Sequence, residues 1–142
     1  RSKEHQKSLI DAIKSGLINC IATDHAPHSI DDKDSDIMNA SCGMIGLESS
    51  FGLVCKTLLE NNMKITSIID LFSYNPSQII NVKPNFIQEG CEAEINIIDP
   101  ALEWTFSNDN IQSKSHNSPI LGMKLRGKVV YTFNKGFISN KK

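Results

Sequence analysis

One stretch of the chain, residues 18–28, decides the fold, and it reads Ile18-Asn19-Cys20-Ile21-Ala22-Thr23-Asp24-His25-Ala26-Pro27-His28. A short apolar run ends there in Asp-His, and a second His follows four residues after the Asp. In α/β enzymes the first polar residues beyond a buried strand face the ligand. The stretch therefore predicts a buried strand over 18–23, with Asp24 at the mouth of an active site.

The residues before this stretch predict an α-helix over 3–15. Ser2 can cap its start, Glu4 lies near its positive end, and Gly16 can end it. Its apolar stripe consists of Leu9, Ile10, Ile13 and Leu17. A helix, a short link and a buried strand form the second half of a βαβ unit, which predicts an α/β fold with a parallel sheet.

Composition limits the class of protein. The 142 residues suffice for one domain or for a piece of a larger one, and 39% hydrophobic residues are typical of a globular protein. The net charge of -1 leaves no basic face for nucleic acid or an anionic membrane. The four cysteines form no Cys-x-x-Cys pair, which favours reduced thiols over disulfides. We therefore expect a cytoplasmic protein that binds neither nucleic acid nor membrane.

Residues 29–42 predict an irregular, acidic, mobile loop. The spacing Asp32-x-Asp34-x-Asp36 resembles the start of a calcium-binding loop. However, Ile37 and Gly43 stand at its sixth and twelfth positions, where such loops need Gly and Glu. A long loop after a strand is more often the rim of a functional site than a connector, so we expect a rim here.

Three further helices are predicted before residue 80. The first begins near Gly46 and ends at Asn61, Thr66 is expected to cap the second, and Asn75 is expected to cap the third. The apolar residues expected to face the core of the protein are Leu47, Phe51, Val54, Leu58, Ile68, Ile69, Leu71, Phe72, Ile79 and Ile80.

The pattern changes to β after Pro84. Residues 93–98 predict a strand that Asp99-Pro100 ends, and residues 101–123 predict a loop. Residues 128–133 predict a second strand, followed by a hairpin turn at 134–136.

The chain therefore divides near residue 85. Residues 1–85 are expected to form an α/β part, and residues 86–142 a small β part.

Asp24, His25 and His28 are the residues with the clearest chemistry. A carboxylate at a strand end can bind a divalent metal or move a proton, and two imidazoles nearby can support it or bind an anionic substrate. The alternative is that Asp24 is a helix cap or a loop residue. Gly43 and Gly46 also leave two readings, because backbone amides there can bind a ligand or can merely permit a turn.

Several stretches together resemble one known family, and they are Cys20–His28, Gly43–Glu48, Ser73–Ile79, Gly90–Ile95, Asn117–Pro119 and Gly127–Val130. They are similar to the class I dihydroorotases of the amidohydrolase superfamily, and the resemblance runs from Arg1 to Phe137. It implies an α/β fold, with the C-terminal part of a (β/α)8 TIM-type barrel over 1–85 and part of a small β-sandwich over 86–142.

The resemblance implies roles for five residues. The family Asp that matches Asp24 binds the more buried zinc and moves the proton in catalysis. The His that matches His28 holds the substrate carboxylate, and the backbone at Cys42 and Gly43 matches the pair that contacts the pyrimidine ring. Many members have Pro or Phe in place of Cys42, a change that a backbone contact tolerates. His25 matches a His that supports the site without touching the metal.

Zinc is the cofactor that the resemblance implies, with one or two ions per full-length subunit. The His-x-His, the carboxylated Lys or its substitute, and two later His ligands would all lie upstream. The substrate-binding Asn would lie shortly before the Arg that Arg1 matches. Because catalytic zinc needs about three protein ligands, Asp24 alone is not expected to bind it tightly. We expect the 142 residues alone to be inactive.

The expected function is therefore that of a dihydroorotase fragment. The parent would interconvert dihydroorotate and N-carbamoyl-L-aspartate in pyrimidine synthesis. A hydantoinase or allantoinase, or a non-catalytic scaffold subunit, is the alternative. Expected partners are the small-molecule substrate, the rest of the same barrel, and a second copy or another pyrimidine enzyme.

Overall fold

The computed structural model describes residues 2–140, except for the side chain of Asn140. Arg1, to which the resemblance assigns a family arginine, lies outside the described residues. The helices are α1 (Lys3–Lys14), α2 (Ile30–Lys33), α3 (Ser50–Glu60), α4 (Ile65–Phe72) and α5 (Tyr74–Ile79), with a 3-10 turn at Asn108–Asn110. An antiparallel sheet has the order β1-β2-β3 and consists of β1 (Glu94–Thr105), β2 (Lys124–Asn134) and β3 (Phe137–Asn140).

Helix α1 forms as predicted from its start signal. The Ser2 side chain caps it by accepting from the His5 amide at 3.3 Å. Ile10 and Ile13 of its predicted stripe pack against α3 and α4. The expectation that the other two residues of the stripe are buried is wrong, because Leu9 is exposed and Leu17, which lies beyond the helix end, is 82% exposed.

The buried strand predicted over 18–23 is not formed, and its residues are half-buried or exposed. The Ile21 amide donates to the Leu71 carbonyl at 2.9 Å, and a single parallel bridge joins His25 to Met44. A strand needs a partner along its length, and no strand of residues 2–140 lies beside this segment. The predicted parallel sheet is therefore also absent from the part of the chain that the structure describes.

The two apolar clusters of the described chain meet at α3. One contains Leu58 of α3 with Ile68 and Leu71 of α4. The second packs the 3-10 region and β2 together, through Ile45, Phe106, Ile111 and Leu125. Leu53 of α3 contacts this second cluster, so one helix fixes the position of α4 and of the sheet.

Helix α3 approaches β2 closely through two glycines. A Cβ on Gly52 would lie 3.0 Å from the Trp104 ring, and one on Gly127 would lie 2.6 Å from Cys55 Sγ. The Trp104 indole N–H donates to the Gly127 carbonyl at 3.1 Å, and Lys128 Nζ lies 5.3 Å from the ring centroid. Small residues thus let the helix pack directly on the sheet.

Helix ends were predicted less well than the helices themselves. Helix α3 ends before Asn61 as expected but begins at Ser50, which leaves Leu47 outside it and 62% exposed. Lys64, not Thr66, precedes α4, and Ser73, not Asn75, precedes α5. The Asn75 side chain instead donates to the Asn19 carbonyl at 2.8 Å, so it makes a tertiary contact and does not cap α5.

The expected burial of Ile79 and Ile80 is also wrong, because these side chains are 60% and 68% exposed. They lie at the end of α5, where no described element covers them. The described part of the chain contains no helix long and apolar enough to cross a membrane.

Strand β1 continues through Asp99-Pro100, where the sequence predicted its end. The pairing with β2 shifts its register there, and Asp99 accepts from the amides of Ala101 and Leu102 at 2.9 and 3.1 Å. A proline is tolerated at such an irregularity because its missing N–H is not needed for pairing. The start of the loop predicted over 101–123 is therefore strand. The hairpin turn is confirmed, with positive φ at Lys135 and Gly136.

Candidate active site

Asp24 has a left-handed backbone conformation, with a φ of 45°. Non-glycine residues adopt this region uncommonly, although Asp and Asn do so more readily than the others. The residue is exposed, and its carboxylate makes no hydrogen bond or ion pair with any of residues 2–140. A carboxylate that bonds to none of the described residues is not acting as a helix cap, which leaves it available to a ligand.

The His25 ring is bonded to protein on both sides. Its Nδ1 accepts from the amides of Gly46 and Leu47 at 3.1 and 3.3 Å, so the ring proton is assigned to Nε2. Nε2 lies 3.3 Å from Ser113 Oγ, to which it donates. Both nitrogens are thus engaged, and the ring joins the Asp24 segment to the start of α3. The supporting role expected for His25 remains a prediction.

Glu48 completes this network and was not singled out by the sequence. Its Oε1 accepts from Ser113 Oγ at 2.7 Å and from the amides of Ser113 and Gln112 at 2.8 and 3.0 Å. Burial raises the pKa of the Glu48 carboxyl, but these hydrogen bonds outweigh burial and hold the pKa below its ordinary value. Its Oε2 is buried and has no partner among the described residues.

His28, Cys42 and Gly43 come together across the loop, and their substrate-binding roles remain a prediction. His28 Nε2 donates to the Cys42 carbonyl at 2.9 Å. Gly43 has a φ of 129°, and a Cβ there would lie 2.6 Å from the Cβ of Ala26. The Ala26 amide donates to the Met44 carbonyl at 2.9 Å. Only glycine at position 43 therefore allows the two segments of the site to touch.

Two side chains that the sequence did not single out hold the Gly43 carbonyl. Lys33 Nζ donates to it at 3.1 Å and to the Ser41 carbonyl at 2.6 Å. Asn117 Nδ2 donates to it at 3.1 Å and to the Ala26 carbonyl at 3.2 Å. Asn117 lies in a matched family stretch, which was the available signal, whereas Lys33 was read only as part of an acidic loop.

The acidic loop begins with the short helix α2, where the sequence predicted irregular structure. Ser29 and Asp32 form a reciprocal cap on α2. Hydrogen bonds from the Asn39 side chain and from the Met38 amide lower the pKa of the Asp36 carboxyl. The same bonds hold a turn of the chain at residues 36–39. These carboxylates serve local turns, so their spacing alone does not indicate calcium.

The described residues do not form a complete metal site. Within 2–140, no three side chains of His, Cys, Asp or Glu come together in a way that could hold an ion. The exposed carboxylate of Asp24 could supply one ligand to a metal ion. His116 lies on the surface against Asn108, and His5 lies at the start of α1.

A groove between α3 and the sheet adjoins this site, because Leu47, Glu48 and Gln112 of the hydrogen-bond network also line the groove. Asp24, His28, Cys42 and Gly43 do not line it. We assign the candidate site to the Asp24 region because the free carboxylate and the fixed imidazoles are found there.

Comparisons with known proteins identify the family of the chain. Residues 1–138 match the amidohydrolase family, and the chain belongs to that family. The chain is 41% identical over 139 residues to the dihydroorotase of Clostridioides difficile (strain 630), an alignment that covers 97% of this chain and 32% of the relative. It is 40% identical over 131 residues to the dihydroorotase of Geobacter sp. (strain M21), covering 89% and 31%.

Solved structures show the same α/β amidohydrolase fold. A D-hydantoinase from Thermus sp. matches with a TM-score of 0.84 at 20% identity, covering 99% of this chain and 32% of that one. An L-hydantoinase from Arthrobacter aurescens matches with a TM-score of 0.82 at 21% identity. The chain thus spans about a third of the length of the proteins that it resembles.

Proposed function

We propose that the full-length protein is a dihydroorotase that interconverts dihydroorotate and N-carbamoyl-L-aspartate in pyrimidine synthesis. The observation that carries the proposal is the free Asp24 carboxylate, four residues before His28, whose ring is fixed on the Cys42 carbonyl. Identities of about 40% to dihydroorotases over most of the chain support this substrate class over other cyclic amides.

Asp24 is the proposed acid and base of the reaction. Its carboxylate has no protein partner to displace among the described residues, so it can accept a proton from the attacking water. It then donates that proton to the ring nitrogen as the amide bond breaks. His25 holds the adjacent backbone through its bonds to Gly46, Leu47 and Ser113 and takes no proton itself.

His28, Cys42 and Gly43 are the proposed substrate-binding residues. His28 donates to the Cys42 carbonyl in the free protein, which fixes the imidazole at the edge of the site. The substrate carboxylate would accept a hydrogen bond from Nδ1, the ring nitrogen that bonds to no described residue. The backbone of Cys42 and Gly43 would contact the edge of the pyrimidine ring, and both residues are exposed for that contact.

The remaining proposals concern the whole protein. Residues 1–85 would complete a (β/α)8 barrel, and residues 86–142 would join a small β-sandwich. One or two zinc ions would bind with Asp24 as one ligand and with further ligands from outside residues 2–140. Zinc supplies Lewis-acid chemistry in sites of this kind. We place the protein in the cytoplasm.

A hydantoinase is the second candidate, because the solved structures with this fold include hydantoinases. Hydantoin rings lack the carboxylate that His28 is proposed to bind. Turnover of dihydroorotate and of hydantoin by the same zinc-loaded, full-length protein therefore separates the two functions.

The direct test of the proposal is Asp24→Asn in the full-length protein. Loss of the acid and base should lower kcat roughly 100-fold to 10 000-fold, with the fold intact by circular dichroism. Dihydroorotate turnover by Asp24→Asn at the wild-type rate would exclude Asp24 as the acid and base. Wild-type turnover of hydantoin alone would exclude dihydroorotase activity.

A further inference from the structure

Lys33 closes the loop that leads from His28 to Gly43. Its ammonium group donates to the carbonyls of Ser41 and Gly43 at 2.6 and 3.1 Å, and its side chain is half-buried. The Ser41 amide donates to the Asp32 carbonyl at 3.0 Å, which closes the base of the same loop. One cation thus ties the two peptide carbonyls on either side of Cys42.

Side chains hold the three consecutive carbonyls of residues 41–43. Lys33 holds those of Ser41 and Gly43, His28 holds that of Cys42, and Asn117 also holds that of Gly43. In a planar trans peptide the N–H points away from the C=O. Fixing the carbonyls of Ser41 and Cys42 therefore also fixes the directions of the next two N–H groups.

Those two N–H groups, of Cys42 and Gly43, make no hydrogen bond with any described residue. Both residues are exposed. Aligned donors without a protein partner are suited to bind the oxygen atoms of a small ligand. The loop thus presents a pair of free donors: Lys33 fixes the direction of the Cys42 N–H through the Ser41 carbonyl, and His28 fixes that of the Gly43 N–H through the Cys42 carbonyl.

We propose that Lys33 is a positioning residue that aligns the peptide N–H group of Cys42 for the substrate ring, beside the Gly43 N–H group that His28 aligns. The proposal rests on the proposed function for the identity of that ring. Lys33 itself does not touch the substrate, because its ammonium is directed at the two carbonyls. Its effect reaches the substrate only through the backbone.

The test compares Lys33→Met, Lys33→Arg and Lys56→Met in the full-length, metal-loaded protein. Lys56 is the matched control, because its Nζ also donates to a backbone carbonyl, that of Lys124 at 2.9 Å, away from the site. For Lys33→Met, KM for dihydroorotate should rise roughly tenfold, which corresponds to about 1.4 kcal/mol. Its kcat should change less than about threefold. Lys33→Arg should restore part of the affinity, because a guanidinium can also donate to two carbonyls.

An unchanged KM in Lys33→Met, or an equal rise in Lys56→Met, overturns the proposal. Hydrogen–deuterium exchange provides a readout that does not depend on the substrate. The Ser41 amide, which donates to the Asp32 carbonyl, should exchange faster in Lys33→Met than in the wild type or Lys56→Met. If the wild type does not turn over dihydroorotate, the proposed function fails, and hydrogen–deuterium exchange alone then tests the role of Lys33. Faster exchange then supports the alignment by Lys33, and equal exchange overturns it.

Discussion

At the residue scale, the contact between Ala26 and Gly43 depends on one missing Cβ. Gly43→Ala combines a φ of 129° with a Cβ only 2.6 Å from that of Ala26. Gly136→Ala is a matched control, because it also has a positive φ of 82° but nothing within 4 Å. We expect Gly43→Ala to lower the free energy of unfolding by about 1–3 kcal/mol more than Gly136→Ala in urea melts. Equal losses would show that the contact adds nothing beyond strain.

His28 gives a second prediction at this scale. Without its imidazole, His28→Ala loses a bond to the substrate carboxylate but keeps Asp24. KM for dihydroorotate should therefore rise roughly 10-fold to 100-fold, with a smaller fall in kcat. Steady-state kinetics of the full-length protein measure this, and hydantoin serves as a substrate without a carboxylate. An unchanged KM for dihydroorotate would favour the hydantoinase alternative.

At the scale of elements, Glu48 joins the start of α3 to the segment that carries Ser113. Its pKa is lowered from an ordinary value of 4.5, so the stabilisation is complete above that pH and is lost as pH falls through the lower folded-state value. Glu48→Gln should cost about 1–2 kcal/mol of unfolding free energy at pH 7. The difference from the wild type should shrink in urea melts below pH 4.5. A difference that does not vary with pH would contradict the proposed charge-assisted bonds.

What the sequence predicted correctly at this scale was local. The α1 cap at Ser2 and the turn at Lys135-Gly136 depend on neighbours within a few residues, so the local sequence is enough to indicate them. The cap assigned to Asn75 failed because its side chain bonds to the Asn19 carbonyl, and the cap assigned to Thr66 failed because α4 already begins at Ile65.

The candidate site shows the same limit. Asp24 and His28 stand in one short motif, and Gly43 belongs to a stretch that resembles a known family. Asn117 contacts the Ala26 carbonyl from 91 residues away, and no pattern in a single sequence predicts such a pair. Lys33 was missed because a lysine among aspartates is usually solvated.

At the scale of the whole molecule, large apolar side chains remain uncovered among the described residues. They include Leu17, Ile79, Ile80, Phe86, Ile87 and Phe137. Exposed apolar side chains in this number favour association. We expect the 142-residue chain on its own to self-associate, as measured by light scattering after gel filtration. A stable monomer would contradict this expectation.

The isolated chain should also lack dihydroorotase activity. Within residues 2–140 no three His, Cys, Asp or Glu side chains come together to hold a metal ion, whereas catalytic zinc needs about three protein ligands. Zinc titration of the purified chain should show no turnover of dihydroorotate above the buffer rate. The full-length protein is the positive control, and zinc-dependent turnover by the 142 residues would show the prediction to be wrong.

The close packing of α3 on β2 has an optical consequence. The sequence contains one tryptophan, Trp104, and its indole lies at this contact with its N–H bonded to Gly127. Its fluorescence therefore reports on a single place, the seam between the helical part and the sheet. A shift of the emission maximum to longer wavelength would mark the separation of the two parts, and circular dichroism would show whether the helices persist when they part.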